Sequence, residues 1–147
     1  MTQLDNIDKI VLRLDKLKEF VKELKEYQNV TKEDLENDRK TSAVVDRLLE
    51  LACESVLDIS RLIVTDQRLK IPEDSKGYIL ALGEAEVLDK EFAQEFSKIA
   101  GFRNILVHMY LDIDYAQVAD KVNNRLGDFE KFSQQVAKYY EILDIKH

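Results

Sequence analysis

Residues Ser42–Val64 read S-A-V-V-D-R-L-L-E-L-A-C-E-S-V-L-D-I-S-R-L-I-V. Val45, Leu48, Ala52, Val56, Ile59 and Ile63 recur at three- and four-residue steps, which places them on one face of an α-helix and not on alternate faces of a strand. Arg47, Glu50, Glu54, Asp58 and Arg61 form a second, polar stripe at the same kind of spacing. A helix with one apolar side is therefore predicted here. The default meaning of its charged stripe is a solvated surface.

The same pattern extends outward in both directions. Ile7, Ile10, Val11, Leu14, Leu17, Val21 and Leu24 predict a first helix that ends near Gln28, with Asp and Lys on its other side. Thr31, followed by Glu33 and Asp34, has the form of an N-cap with acidic residues in the first turn, where they meet the positive end of the helix dipole. Whether Lys32–Lys40 joins the second helix or forms a polar loop is left open by the pattern. The span Asp66–Ser75 contains Pro72 and reads as a connection. Tyr78–Leu88 predicts a short third helix, Lys90–Leu111 a fourth and Tyr115–Ile142 a long fifth, with Asp112 or Asp114 as the cap between the last two. Only four glycines and one proline punctuate the whole chain. The expectation is an all-α, up-and-down bundle of about five helices, folded as one domain over residues 1–147.

At 147 residues and 45% apolar content the chain is long enough to bury a core without a disulfide or metal staple. No apolar run approaches the ~18 residues of a membrane span, and no apolar signal core follows Met1–Asn6, so a cytoplasmic protein without a membrane partner is expected. The single Cys53 lies inside a helical pattern and reads as a small buried hydrophobe.

Chemistry concentrates in the predicted fourth helix, where Arg103–Tyr110 reads R-N-I-L-V-H-M-Y and holds His108, the one histidine away from the C-terminal residue. At 100° per residue, Arg103 and Tyr110 lie roughly 20° apart and Asn104 and His108 about 40° apart, which makes two neighbouring polar rows. Arg103 and His108 are separated by roughly 140°, so they border a groove and do not touch side by side. Ile105, Leu106 and Met109 are expected to face the core. Gly101 costs about 1 kcal/mol relative to alanine inside a helix, which suggests a close helix crossing or a subunit contact there.

The spacing Arg-Asn-x3-His-x-Tyr resembles the active-site signature of the HEPN ribonucleases, in particular the HepT toxins of HepT/MntA toxin–antitoxin pairs. The resemblance covers about eight residues in motif and nearly the whole chain in helical architecture. It implies a HEPN-like bundle that acts as an endoribonuclease, with the motif helices of two protomers lining one shared cleft. Arg103 would bind the phosphate, because its planar fork donates two parallel hydrogen bonds and stays protonated. His108 would move the proton of a 2′-hydroxyl, a task suited to a group whose ordinary pKa is near 6.5. Asn104 would orient the imidazole or fix the phosphate. One histidine supplies one proton-transfer group, and a homodimer would supply the second. The resemblance also implies a nucleotidyltransferase (MNT-type) antitoxin that attaches AMP to Tyr110, placing a negative charge beside Arg103 and blocking RNA. No cofactor is expected.

Plainer readings exist for each residue. A lone histidine near a helix end is commonly a packed or capping side chain, and a tyrosine such as Tyr110 is commonly an interfacial aromatic. If the second helix flanks the motif helix, Glu54 or Asp58 can pair with Arg103 or polarise His108, with Arg47 as a further supporting residue. A ferritin-like di-iron bundle would need Glu-x-x-His pairs, which the chain lacks, so no metal site is expected. A net charge of -7, hence 2 × -7 = -14 for a dimer, repels a polyanion at long range. An RNA grip would have to be local, with Arg39, Lys40, Arg47, Arg61, Arg68 and Lys70 gathering near Arg103. The alternatives are a non-catalytic HEPN adaptor that binds a nucleotidyltransferase or its nucleotide, and a plain helical scaffold.

Overall fold

A computed structural model describes residues 5–109 and 111–142, and its described residues are helical with no strand. The helices are α1 (Asn6–Lys25), α2 (Lys32–Asn37), α3 (Arg39–Asp66), α4 (Ser75–Glu84), α5 (Lys90–Phe96), α6 (Ile99–His108), α7 (Tyr115–Asn124) and α8 (Leu126–Tyr139). The all-α bundle is as expected. The number of helical segments is larger, because three of the predicted stretches are broken.

Helix α3 is the axis of the bundle. Its 28 residues span roughly 42 Å and pack against α1, α4 and α6, with smaller contacts to α2 and α8. Val45, Leu49, Ala52, Cys53, Val56, Leu57, Ile59, Ile63 and Val64 are buried, an arc wider than the predicted stripe because neighbours cover it from several sides. Leu48 is only partly buried at its margin. The buried hydroxyls of Ser55 and Ser60 donate to the carbonyls of Leu51 at 2.9 Å and Val56 at 2.8 Å, which removes the cost of enclosing them. Burial pushes the Cys53 thiol up to about 12, so it stays protonated at neutral pH, as a core residue would.

The first break falls at Asp38. Extended backbone there ends α2, and the Asp38 carboxylate caps α3 by accepting from the amides of Lys40 and Thr41 at 3.1 and 3.3 Å. Lys32–Asn37 is therefore a helix of its own, started by a reciprocal cap between Thr31 and Asp34. The predicted fourth helix divides at Ser97–Lys98. Amides of Lys98, Ala100 and Gly101 bond three residues back instead of four, which tightens the turn and redirects the chain into α6. The predicted fifth helix divides at Arg125, whose φ and ψ of -121° and 2° leave the helical region. Asp114, not Asp112, caps α7 by accepting from the Ala116 amide at 2.9 Å.

Two glycines exchange the roles expected of them. A Cβ on Gly101 would meet nothing within 4 Å, and the residue is exposed, so no helix of the same chain crosses there. The close crossing is at Gly83, where a Cβ would come within 2.7 Å of the Ala93 Cβ; α4 and α5 pass each other at that point. Helix α5 is also anchored by its aromatic side chains. Phe92 stacks on Phe96 at 5.0 Å, and Phe96 meets Phe129 and Phe132 of α8 at 5.6 and 5.5 Å. Ile7 and Met109, expected inside, are 43% and 49% exposed: Ile7 lies in the first turn of α1, and Met109 stands beyond the last turn of α6.

Candidate functional site

The motif is carried by α6, and its sequence explains why that helix sits where it does. Phe102 and Leu106, four residues apart, are buried and hold one face of α6 against the core. Arg103 and Asn104 follow Phe102 around the axis and emerge at the edge of that contact; Arg103 is half-buried and Asn104 exposed. His108 is the last residue of α6 and is exposed. Among the described residues its side chain makes no hydrogen bond and no ion pair. Its imidazole is thus neither packed in the core nor occupied as a cap. Tyr110 lies outside the described residues.

Arg103 has fixed partners. Its Nε donates to Oε1 of Glu54 on α3, its Nη2 is in ion-pair contact with the same oxygen, and its Nη1 donates to Oδ1 of Asn104 at 3.1 Å. The carboxylate and guanidinium side chains are 29% and 26% exposed, dry enough to strengthen the pair and open enough for a phosphate to approach. Of the polar stripe on α3, Glu54 alone reaches the motif among the described residues. Asp58 pairs with Arg61 at 3.2 Å and Arg47 with Glu50 at 2.9 Å, both along α3 itself, so the support expected from Asp58 and Arg47 goes elsewhere.

Nor do Arg61, Arg68 and Lys70 gather beside Arg103. Arg61 is taken up by Asp58, by the Ser75 hydroxyl at 3.3 Å and by the ring of Tyr78 at 5.6 Å. Arg68 and Lys70 lie beyond the C-terminal end of α3, a rise of roughly 20 Å from Glu54. Their order along the chain was visible, but the length of α3 keeps them apart.

A second contact escaped sequence reasoning. The hydroxyl of Tyr115, the first residue of α7, donates to Asp46 Oδ2 at 2.9 Å. Burial pushes the Asp46 carboxyl above the usual range, and the Tyr115 hydrogen bond offsets part of that rise. Burial and the same bond push the Tyr115 phenol up. The signal was present: Asp46, Glu50, Glu54 and Asp58 stand at four-residue steps and form one acidic row. What the row touches depends on how α6 and α7 cross it, which periodicity does not encode. Among the described residues, no group of three or more His, Cys, Asp and Glu stands close enough to hold a metal ion, and no helix is long and apolar enough to cross a membrane.

A family model described as "Ribonuclease HepT-like" matches residues 17–136, which include α3, α6 and the motif. The chain belongs to the HepT-like ribonuclease family. Among individual HepT proteins, the tRNA nuclease HepT of Aphanizomenon flos-aquae is 27% identical over 143 residues, 95% of this chain and 96% of that protein. A crystal structure of a toxin–antitoxin with AMP-PNP is similar over 89% of this chain and 98% of that one, with 25% identity and a TM-score of 0.82. The fold is also that of the tri-AMPylated Shewanella oneidensis HEPN toxin in complex with an MNT antitoxin, at 23% identity and a TM-score of 0.75 over 92% and 99% of the two chains. The HepT-like assignment agrees with the all-α fold and with the R-N-x3-H-x-Y spacing in the sequence, whose Arg103, Asn104 and His108 lie on α6. It makes Arg103, Asn104 and His108 the first residues to test.

Proposed function

We propose that this HepT-like chain is an endoribonuclease toxin that cleaves RNA without a metal ion, at a cleft shared by two copies of the chain. Arg103 binds the scissile phosphate and stabilises the charge that accumulates on it. His108 takes the proton from the 2′-hydroxyl, the freed oxygen attacks the adjacent phosphorus, and the bond to the 5′-oxygen of the next nucleotide breaks to leave a 2′,3′-cyclic phosphate. The departing 5′-oxygen needs a proton, which the second copy's imidazole supplies. Asn104 orients the donors of Arg103. The observation that carries this reading is the exposed His108, its imidazole without a partner among the described residues, on the same helix as a guanidinium already braced for an anion.

Regulation follows from the same charges. A nucleotidyltransferase antitoxin that transfers AMP to Tyr110 would set a phosphodiester beside Arg103, where it competes with RNA for the guanidinium. Incubation with cellular RNA tests the enzyme reading: the wild-type chain should yield fragments ending in cyclic phosphate, and His108→Ala should lose about 10²–10⁴-fold in rate, the usual worth of a positioned acid or base. With ATP and an MNT-type nucleotidyltransferase, intact-mass measurement should find AMP on wild type and none on Tyr110→Phe.

A second reading has one observation in its favour. Net charge is -7, and Glu54 already balances Arg103, which suits a HEPN adaptor that binds a nucleotidyltransferase or nucleotide and cuts nothing. Intact RNA with both wild type and His108→Ala, alongside retained nucleotidyltransferase binding, would favour the adaptor.

A further inference from the structure

We propose that Glu54 is the positioning residue of the motif arginine: it holds the Arg103 fork so that the donors left on its two terminal nitrogens face a phosphate. The reaction itself rests on the ribonuclease reading above. A guanidinium carries five N–H groups in one plane. Glu54 takes the Nε–H and holds Nη2 in ion-pair contact through the same oxygen, and Asn104 takes one Nη1–H. At least one N–H remains on each terminal nitrogen, and a bidentate phosphate contact needs two such donors. Because the group is planar, fixing one edge fixes the others, and the rotamer entropy of a long side chain is lost before RNA arrives instead of upon binding.

The backing of Glu54 suits this task. It stands on α3 between the fully buried Cys53 and the buried Ser55, so its backbone cannot shift without disturbing the core. The neighbouring acids in its row are committed elsewhere, Glu50 to Arg47 and Asp58 to Arg61. Asn104 alone is exposed and adjacent in sequence to Arg103, and it leaves the Nε edge free to turn.

The sign of the effect separates positioning from simple charge. Removing a carboxylate beside a polyanion site raises affinity if its field is all that matters. Positioning predicts the opposite. Wild type, Glu54→Gln, Arg103→Ala and the double variant are compared on an RNA oligomer for cleavage and on its 2′-O-methylated form, which cannot be cut, for binding. Glu54→Gln should cut about tenfold more slowly, a loss in kcat of the size caused by slight misplacement of a catalytic group, and should bind the methylated oligomer more weakly although the site is less negative. On the Arg103→Ala background it should add no further loss, because Glu54 acts through Arg103. A Glu54→Gln chain that cuts and binds as well as wild type, or one whose losses persist without Arg103, overturns the proposal.

Should wild type cut nothing, the ribonuclease reading fails while the Glu54 assignment is still decided by binding and by the Arg103 Nε–H resonance. That resonance should be sharp in wild type and broadened by exchange in Glu54→Gln; a resonance sharp in both overturns it. If Glu54→Gln does not fold, Glu54→Asp makes the same test with the charge kept and the carboxylate drawn back by one methylene.

Discussion

Replacing Gly83 by alanine should destabilise the protein, whereas the same replacement at Gly101 should stabilise it, and the difference measures the α4–α5 crossing. Both glycines lie in helices, so both substitutions gain helix propensity, up to about 1 kcal/mol. At Gly101 the new methyl meets no atom within 4 Å, and the gain stands alone. At Gly83 it would sit 2.7 Å from the Ala93 Cβ, with Lys90 Cα at 3.5 Å. A Cβ is fixed to its backbone and cannot swing aside, so α4 and α5 must separate by most of an ångström, which in a packed interior costs about 1–3 kcal/mol. The two variants should therefore differ by about 2 kcal/mol, equivalent to roughly 4–8 °C in Tm for a chain of this size. Thermal and urea denaturation followed by circular dichroism, at one fixed protein concentration, would read it. Ala93→Gly added to Gly83→Ala should restore part of the loss, because the two positions share one contact. Equal melting temperatures for Gly83→Ala and Gly101→Ala would refute the reasoning and with it the close approach that feeds the chain into α6.

Other expectations concern pH and local backbone strain. Burial raises the folded-state pKa of Asp46, so its ionised form is disfavoured by folding; the penalty is absent in acid and grows as pH rises through the raised value. Asp46→Asn, which can still accept from Tyr115, should thus melt higher than wild type at neutral pH, with the gap closing as pH falls below the ordinary carboxylate range. A gap that widens in acid would show the sign to be wrong. Glu86 holds a left-handed φ of 61° in the turn that ends α4, where the Val87 amide bonds back to the Leu82 carbonyl at 2.9 Å. Glu86→Gly should relieve about 1 kcal/mol of steric cost and raise Tm by roughly 2–4 °C; an unchanged or lower Tm would count against it.

The buried stripes were legible because they depend only on spacing. Ile10, Leu14, Leu17, Val21 and Leu24 in α1, and Val45, Ala52, Val56, Ile59 and Ile63 in α3, are buried as their periodicity requires. The breaks at Ser97–Lys98 and Arg125 were not legible. Neither has a proline, and the apolar steps continue across both, so each turn is imposed by packing against neighbouring helices. Gly101 drew attention as a helical glycine, but a glycine's neighbours are a tertiary fact, and the crowded ones proved to be Gly77, against Pro72, and Gly83, against Ala93. The motif on α6 was readable as a set of residue types at fixed offsets. Its brace was only half readable: Glu54 and Asp58 were equal candidates until Arg61, three residues after Asp58, claimed the latter. Tyr115 and Asp46 are 69 residues apart, a distance over which local pattern says nothing.

Both ends of the stretch after the motif arginine are fastened to one rigid rod. Arg103 is tied to α3 at Glu54 and Tyr115 at Asp46, eight residues or about 12 Å nearer its start. The eleven residues between Arg103 and Tyr115 must therefore bridge a span set by two turns of α3. Lengthening or shortening that stretch by even one residue would have to be absorbed between the two moorings, so the register of α3 acts as the ruler by which the segment carrying Arg103 and His108 is cut to length.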